Sequence, residues 1–147
     1  MQPREVLLAV NAALCNRDAA AMVEHFAPDA LVTDHRQGGM GSWRGRDELL
    51  AYYGGICGAT VQLHEDLRIV HEQGDLVIAN GLFRAQLTPD GTIDEFQLEY
   101  ALTAVVRNDL IQELGVHQDL EAAHAFADAA DTSSAPQSSS EGGGSTL

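Results

Sequence analysis

Apolar positions recur at helical spacing early in the chain and at alternating spacing in its second half. Val6, Leu7, Val10, Ala13 and Leu14 fall on one side of a 3.6-residue repeat, which predicts a first helix opening at Pro3. Asn16-Arg17-Asp18 breaks that pattern, and Asp18 suits the cap of a second helix with the stripe Met22, Val23 and Phe26. Pro28 reads as its stop. A strand is expected over Ala30 to Arg36, followed by the bend Gly38-Gly39-Met40-Gly41 and Trp43. A third helix opens at Gly45-Arg46-Asp47-Glu48, where acids in the first turn suit the helix dipole. Leu49, Leu50, Tyr53, Ile56 and Cys57 form its expected buried face, and Gly58 its expected end.

From there the period changes to two. Val61, Leu63, Leu67 and Ile69 alternate with Gln62, His64, Asp66 and Arg68, the mark of a half-buried strand. A second apolar strand covers Leu76 to Leu87. Pro89-Asp90-Gly91 is read as a hairpin turn, leading to a long strand from Ile93 to Arg107. Asn108-Asp109 turns again, Leu110 to His117 forms the last strand, and Asp119 caps a closing helix, Leu120 to Ala129. Helices and strands segregate, so the fold class is α+β. The expected architecture is a curved antiparallel sheet wrapped around three N-terminal helices, a cone with an internal pocket open at one end. The outer face of such a sheet needs cover, and a homodimer partner would supply it. Residues 1–130 form this one domain, and residues 131–147, rich in Ser and Gly, are expected to be a disordered tail.

Charge narrows the partners. The 147 residues carry a formal net charge of -14, and all eight basic residues are arginine. That balance argues against nucleic acid, whose phosphates want clustered cations. No apolar run is long enough to span a bilayer, and the N-terminus lacks a signal-peptide pattern. Cys15 and Cys57 read as reduced thiols, consistent with a cytoplasmic protein. No His-Glu-x-x-His cluster, phosphate-binding glycine loop or nucleophile elbow is present, so neither metal nor cofactor is expected.

The candidate chemistry gathers near the strand after Pro28. Asp34 and Arg36 share one side of it and His35 takes the other. In an apolar cavity, desolvation would raise the Asp34 pKa toward a range useful for proton transfer; the competing reading is a solvated Asp-Arg pair. On the long strand, Gln97, Glu99, Ala101 and Thr103 share one side and Phe96, Leu98, Tyr100 and Leu102 the other; alternation alone leaves open which lines the cavity. His117 ends the last strand, where it could shuttle protons at a cavity mouth. Trp43 and Tyr53 are candidates for the lining.

Two segments, LCNRDAAAMVEHFAPDALVTD (residues 14–34) and WRGRDELLAYY (residues 43–53), resemble the nuclear-transport-factor-2-like superfamily. That group includes SnoaL-like polyketide cyclases, ketosteroid isomerases and limonene epoxide hydrolases. The resemblance spans residues 4–129 and implies the cystatin-like cone. By the resemblance to ketosteroid isomerases, Asp34 takes the place of the proton-shuttling aspartate. Their two oxyanion donors fall near Val10 and Thr103, so both are missing. That register places Glu99 inward. The function implied is binding of a small apolar carbonyl compound with cofactor-free acid-base chemistry, as in an isomerase or cyclase. Asp34 would carry the proton, His117 or Glu99 would partner it, and Arg36 would orient an oxygen beside Trp43 and Tyr53. Two other readings stand beside it: a non-catalytic ligand-binding or dimerisation module, and hydrolysis of an epoxide or lactone through Asp34 and Arg36.

Overall fold

The computed structural model of the protein describes residues 1–39, 41–87 and 94–134. Helices α1 (Pro3–Cys15) and α2 (Ala19–Glu24) lead into strands β1 (Phe26–Asp34) and β2 (Gly41–Arg44). Helix α3 (Arg46–Ala59) follows, then strands β3 (Gln62–Gln73), β4 (Leu76–Leu87), β5 (Asp94–Arg107) and β6 (Leu110–His117), and finally α4 (Leu120–Ser134). The six strands form one sheet in the order β2-β1-β6-β5-β4-β3. Every pairing is antiparallel except β1 with β6. The α+β class and the N-terminal helices stand as expected.

Helix α1 buries Val6, Leu7, Val10, Ala13 and Leu14, the stripe its periodicity marks. The Gln2 backbone N–H donates to Glu5 Oε1 at 2.7 Å, closing the first turn. Asp18 caps α2 as expected, accepting from the Ala21 N–H at 3.0 Å. These two helices and α3 pack on the inner face of the sheet, with Phe26, Leu49 and Val32 fully buried between the layers. Leu50 departs from expectation: it is exposed, on the solvent side of α3. Val61 is exposed too, so the inward side of β3 begins at Leu63 and continues through Glu65.

Pro28 does not stop a helix; it lies inside β1. Between Phe26 and Leu31 the chain advances five residues while β6 advances two, from Ile111 to Glu113. Proline has no N–H to give a ladder, and the strand bulges around it. The carbonyls freed there find donors on one short stretch. Arg46 Nε and Nη2 reach Phe26 O at 2.9 and 2.7 Å, Arg44 Nη1 reaches Asp29 O at 3.2 Å, and the Gly45 N–H reaches Ala30 O at 2.9 Å. The stretch Arg44-Gly45-Arg46 thus stitches the β2–α3 junction to the β1 bulge. The bend before it ends in β2, a four-residue strand the glycines had hidden.

Helix α4 lies on the opposite face of the sheet. Ala123 packs with Ile78 and Ala101, flanked by Leu76, Leu120 and Ala127. Part of the cover expected from a second subunit therefore comes from the chain itself. The helix runs to Ser134, past the boundary expected near residue 131; residues 135–147 and the Pro89-Asp90-Gly91 turn lie outside the described residues. Among the described residues no helix is long and apolar enough to cross a membrane.

Arg46 satisfies a part-buried carbonyl and Arg44 an exposed one, so their losses should differ. Arg46→Met should lower unfolding free energy by about 1–3 kcal/mol in urea titrations, and Arg44→Met by well under half of that.

Candidate active site

The inner face of the sheet and the N-terminal helices enclose a mostly apolar cavity of about 370 Å³. This is at the small end of ligand pockets. Leu7, Val10, Met22, Phe83, Leu102 and Leu114 supply hydrocarbon. The polar side chains on its wall are few: Arg36, Tyr52, Tyr53, Glu65, Tyr100, Asn11 and Thr60.

Glu65 is the group the sequence reading missed. It occupies an inward position of β3 between Leu63 and Leu67 and is 6% exposed. Burial pushes its carboxyl up to about 7. The Tyr100 hydroxyl donates to Glu65 Oε2. Its backbone is held as well, because β3 is an edge strand whose outward groups need partners. Helix α1 provides them: Asn11 Nδ2 donates to Glu65 O at 3.0 Å, and the Glu65 N–H donates to Cys15 Sγ at 3.4 Å. Residues one helical turn apart on α1 thus clamp the carboxyl-bearing residue. The available signal was an acid at a position where alternation demands an apolar residue.

Tyr100 points inward and Glu99 outward. Gly81 sits opposite Tyr100 across β4 and β5, and a Cβ there would come within 2.6 Å of the Tyr100 ring. A glycine inside a strand marks such a close approach. This settles the face of β5: Phe96, Leu98, Tyr100 and Leu102 line the cavity. Glu99 is exposed on the outer face and accepts from Asn80 Nδ2 at 3.2 Å, so it cannot serve the cavity.

Asp34 points inward and is buried, but its carboxylate is occupied by Arg36. Arg36 Nε reaches Oδ1 at 2.9 Å and Nη2 reaches Oδ2 at 2.8 Å, a two-point clamp, and the Arg36 N–H adds a third bond at 3.1 Å. A Cβ at Gly39 would lie 2.9 Å from the Asp34 carboxyl carbon, so the glycine bend closes over this pair. The bonds to Asp34 raise the Arg36 pKa further, against the effect of burial. Arg36, not Asp34, is on the cavity wall, and its guanidinium lies 5.6 Å from the Tyr100 ring centre. Tyr100 therefore separates a cation on its face from a carboxyl at its hydroxyl. Tyr53 lines the cavity as expected and its phenol is raised by burial. Trp43 stands behind the wall, stacked on Tyr52 with ring centres 3.8 Å apart; Tyr52 takes the lining position.

His117 is on the wrong face for the role expected of it. Alternation along β6 sends it outward beneath α4. Its Nε2 lies 2.8 Å from Thr103 Oγ1, and its ring stacks on His35 at 4.8 Å and against Phe126 at 5.0 Å. Burial, with His35 alongside, pushes it down to about 4. Among the described residues no cluster of three or more His, Cys, Asp or Glu could hold a metal ion.

A family model described as a SnoaL-like domain matches residues 7–114, well over half of the chain. No curated protein sequence matches it. Solved structures agree on the fold at low identity. A cystatin-fold protein from Novosphingobium aromaticivorans superposes with a TM-score of 0.68 at 16% identity, covering 79% of this chain and 97% of that one. A ketosteroid-isomerase-like protein from Catenulispora acidiphila, in complex with trimethylamine, gives 0.68 at 20% identity over 83% of this chain and 90% of that one. TerC co-crystallised with polyporic acid gives 0.65 at 19% identity over 86% and 98%.

The two buried ionisable groups bend the pH dependence of stability in opposite senses. Glu65 keeps its proton in the folded state up to about pH 7, whereas the unfolded chain loses it near 4.5, so its contribution falls as pH rises between those values. His117 stays neutral in the folded state down to about 4 against an ordinary 6.5, so its contribution falls as pH drops through that window. Urea titrations should show Glu65→Gln gaining about 3 kcal/mol on wild type between pH 4.5 and 7. His117→Gln should lose ground to wild type over the same rise.

Proposed function

We propose that this chain, which belongs to the SnoaL-like domain family, binds a small, mostly apolar carbonyl compound in its cone and moves a proton on it with the Glu65 carboxyl. The observation that carries this reading is the one carboxyl group among the described residues of a mostly apolar wall, with its pKa raised by burial to about 7. At neutral pH both its forms are present, as a group that takes and returns a proton requires. Glu65 would take a proton from the carbon beside the carbonyl. The C–H electron pair becomes the enolate double bond, and the carbonyl π pair moves onto oxygen. Arg36 supplies the positive charge for that oxygen, and Tyr52 lies beside it. In a β,γ-unsaturated ketone the enolate is conjugated, and return of the proton to the γ carbon moves the double bond and completes an isomerisation; alternatively the enolate carbon attacks a second carbonyl to close a ring, and Glu65 returns its proton to the alkoxide formed.

Asp34 becomes a positioning residue here: it fixes the guanidinium in place and keeps it charged. His117 and Glu99 have no part. The small-molecule complexes of the Catenulispora protein and TerC support ligand binding as the purpose of the cone. A homodimer and a cytoplasmic setting belong to the same proposal. The first draws support from part-exposed Phe126 beside an outer groove of about 500 Å³. The second draws support from the free thiols of Cys15 and Cys57.

α-Tetralone, a bicyclic aromatic ketone, serves as a probe. In deuterated buffer, NMR should show the protein exchanging the protons beside its carbonyl faster than buffer does. Glu65→Gln should slow that exchange by about 10²–10⁴-fold. Exchange no faster than buffer would leave a ligand-binding module without chemistry; exchange undiminished in the variant would remove Glu65 from the mechanism.

A further inference from the structure

A buried carboxyl group normally faces a cation, because an ion taken out of water without a counter-charge is costly. Glu65 makes no ion pair among the described residues. The Tyr100 hydroxyl meets Oε2 and leaves Oε1 without a hydrogen-bond partner among them. Oε1 is nonetheless open to contact. Among the described residues, the one unpaired side-chain polar atom that packing seals completely is Asn11 Oδ1. Glu65 is on the cavity wall, so Oε1 is the oxygen that a bound molecule meets. The cation nearby is already matched: Asp34 holds Arg36 at two points, and the guanidinium lies against the face of the Tyr100 ring, not at its hydroxyl. Those two charges offset each other, so ionisation of Glu65 leaves this group of three with one net negative charge. The chain's net charge of -14 adds to the same sign. Phe83 stands directly opposite Glu65 in the β3–β4 ladder and lines the cavity with it and Tyr100. Aromatic rings of this kind attract cations.

We infer that the cone takes a second class of ligand, a small apolar amine in its protonated form, with its ammonium group on Glu65 Oε1 beside the rings of Phe83 and Tyr100. This rests on the proposed binding role of the cavity and deepens it. Folding has already removed the carboxyl group from water, so only the ligand's own share of desolvation is left for the binding step. The ammonium supplies the counter-charge that the chain lacks at this position. An amine seated there blocks the carboxyl group, so it competes with the carbonyl compound. Binding is also linked to the ionisation of Glu65, because only the carboxylate forms the ion pair. Amine affinity therefore rises with pH until Glu65 is ionised in the free protein. An uncharged molecule of the same shape has no such dependence.

The probes are 1-naphthylmethylamine and 1-naphthylmethanol, alike in ring system and length and differing in charge. Calorimetry or fluorescence titration of the wild-type protein at pH 8 should give the amine roughly 10- to 100-fold tighter binding, the worth of a charged hydrogen bond. Its affinity should fall about tenfold for each unit of pH below about 7, while that of the alcohol stays level. Glu65→Gln should remove both the preference and the pH dependence. A measurement on the unaltered protein covers the case in which that variant fails to fold. The midpoint of the Glu65 ¹³Cδ titration should drop by about one unit for each tenfold excess of amine over its dissociation constant, and the alcohol should not move it. Equal affinities in the wild type, a preference that survives Glu65→Gln, or a midpoint that the amine does not lower overturns this inference, while exchange on α-tetralone still decides the proton-transfer reading. Binding of neither probe overturns the ligand cavity itself and both proposals with it.

Discussion

A carboxyl group held among hydrocarbon side chains gives up its charge less readily than one in water. The inner face of this sheet is arranged around one such group. Glu65 stays where it is because the structure holds it at each end. The Tyr100 hydroxyl meets its carboxyl, and Asn11 and Cys15 meet its backbone. Each of these contacts depends on something further away. Tyr100 can lie flat only because Gly81 leaves room for it, and α1 reaches the β3 edge because its Val6-Leu7-Val10 stripe is buried against the sheet.

The other end of the site is fixed by a different defect. Pro28 breaks the β1 ladder, and Arg44-Gly45-Arg46 repairs it, which sets where β1 re-enters the sheet at Leu31. From that point alternation brings Val32, Asp34 and Arg36 to the inner side and Thr33 and His35 to the outer. The pair of segments that carries the family resemblance is thus the pair that makes this repair. Its residues place Arg36 over Tyr100; Glu65 lies outside both segments.

Much of this was legible in the residues, for reasons that can be stated. Helical spacing marked the buried side of α1 because nothing competes with that pattern there. Asp18 and Asp119 announced caps by their own chemistry. Asp34 and Arg36 were readable as neighbours on one side of a strand; they form an ion pair, but with the Asp34 carboxylate buried and not solvated. What alternation could not give was the face. A strand with apolar residues on one side and Ala101 and Thr103 on the other gives no sign that α4 covers the second side, and α4 is why His117, Thr103 and Ala101 are buried on the outer face. Glu65 escaped because an acid within an apolar alternation reads as an exception, when it marks the site. Pro28 was taken at its local meaning, and the tertiary repair by two arginines overrode it.

The two sides of the sheet now have separate work. The outer side under α4 is a packing surface on which His35 stacks against the buried His117. The inner side is a mostly apolar hollow with one buried carboxyl group, Glu65, and one fixed cation, Arg36. Of all the claims here, the position and state of the Glu65 carboxyl matter most, and they can be observed without a substrate. Titration of the Glu65 ¹³Cδ resonance in the folded protein should give a midpoint near 7. A midpoint near the ordinary glutamate value, about 4.3, would mean that water reaches the group and that the hollow does not govern its chemistry.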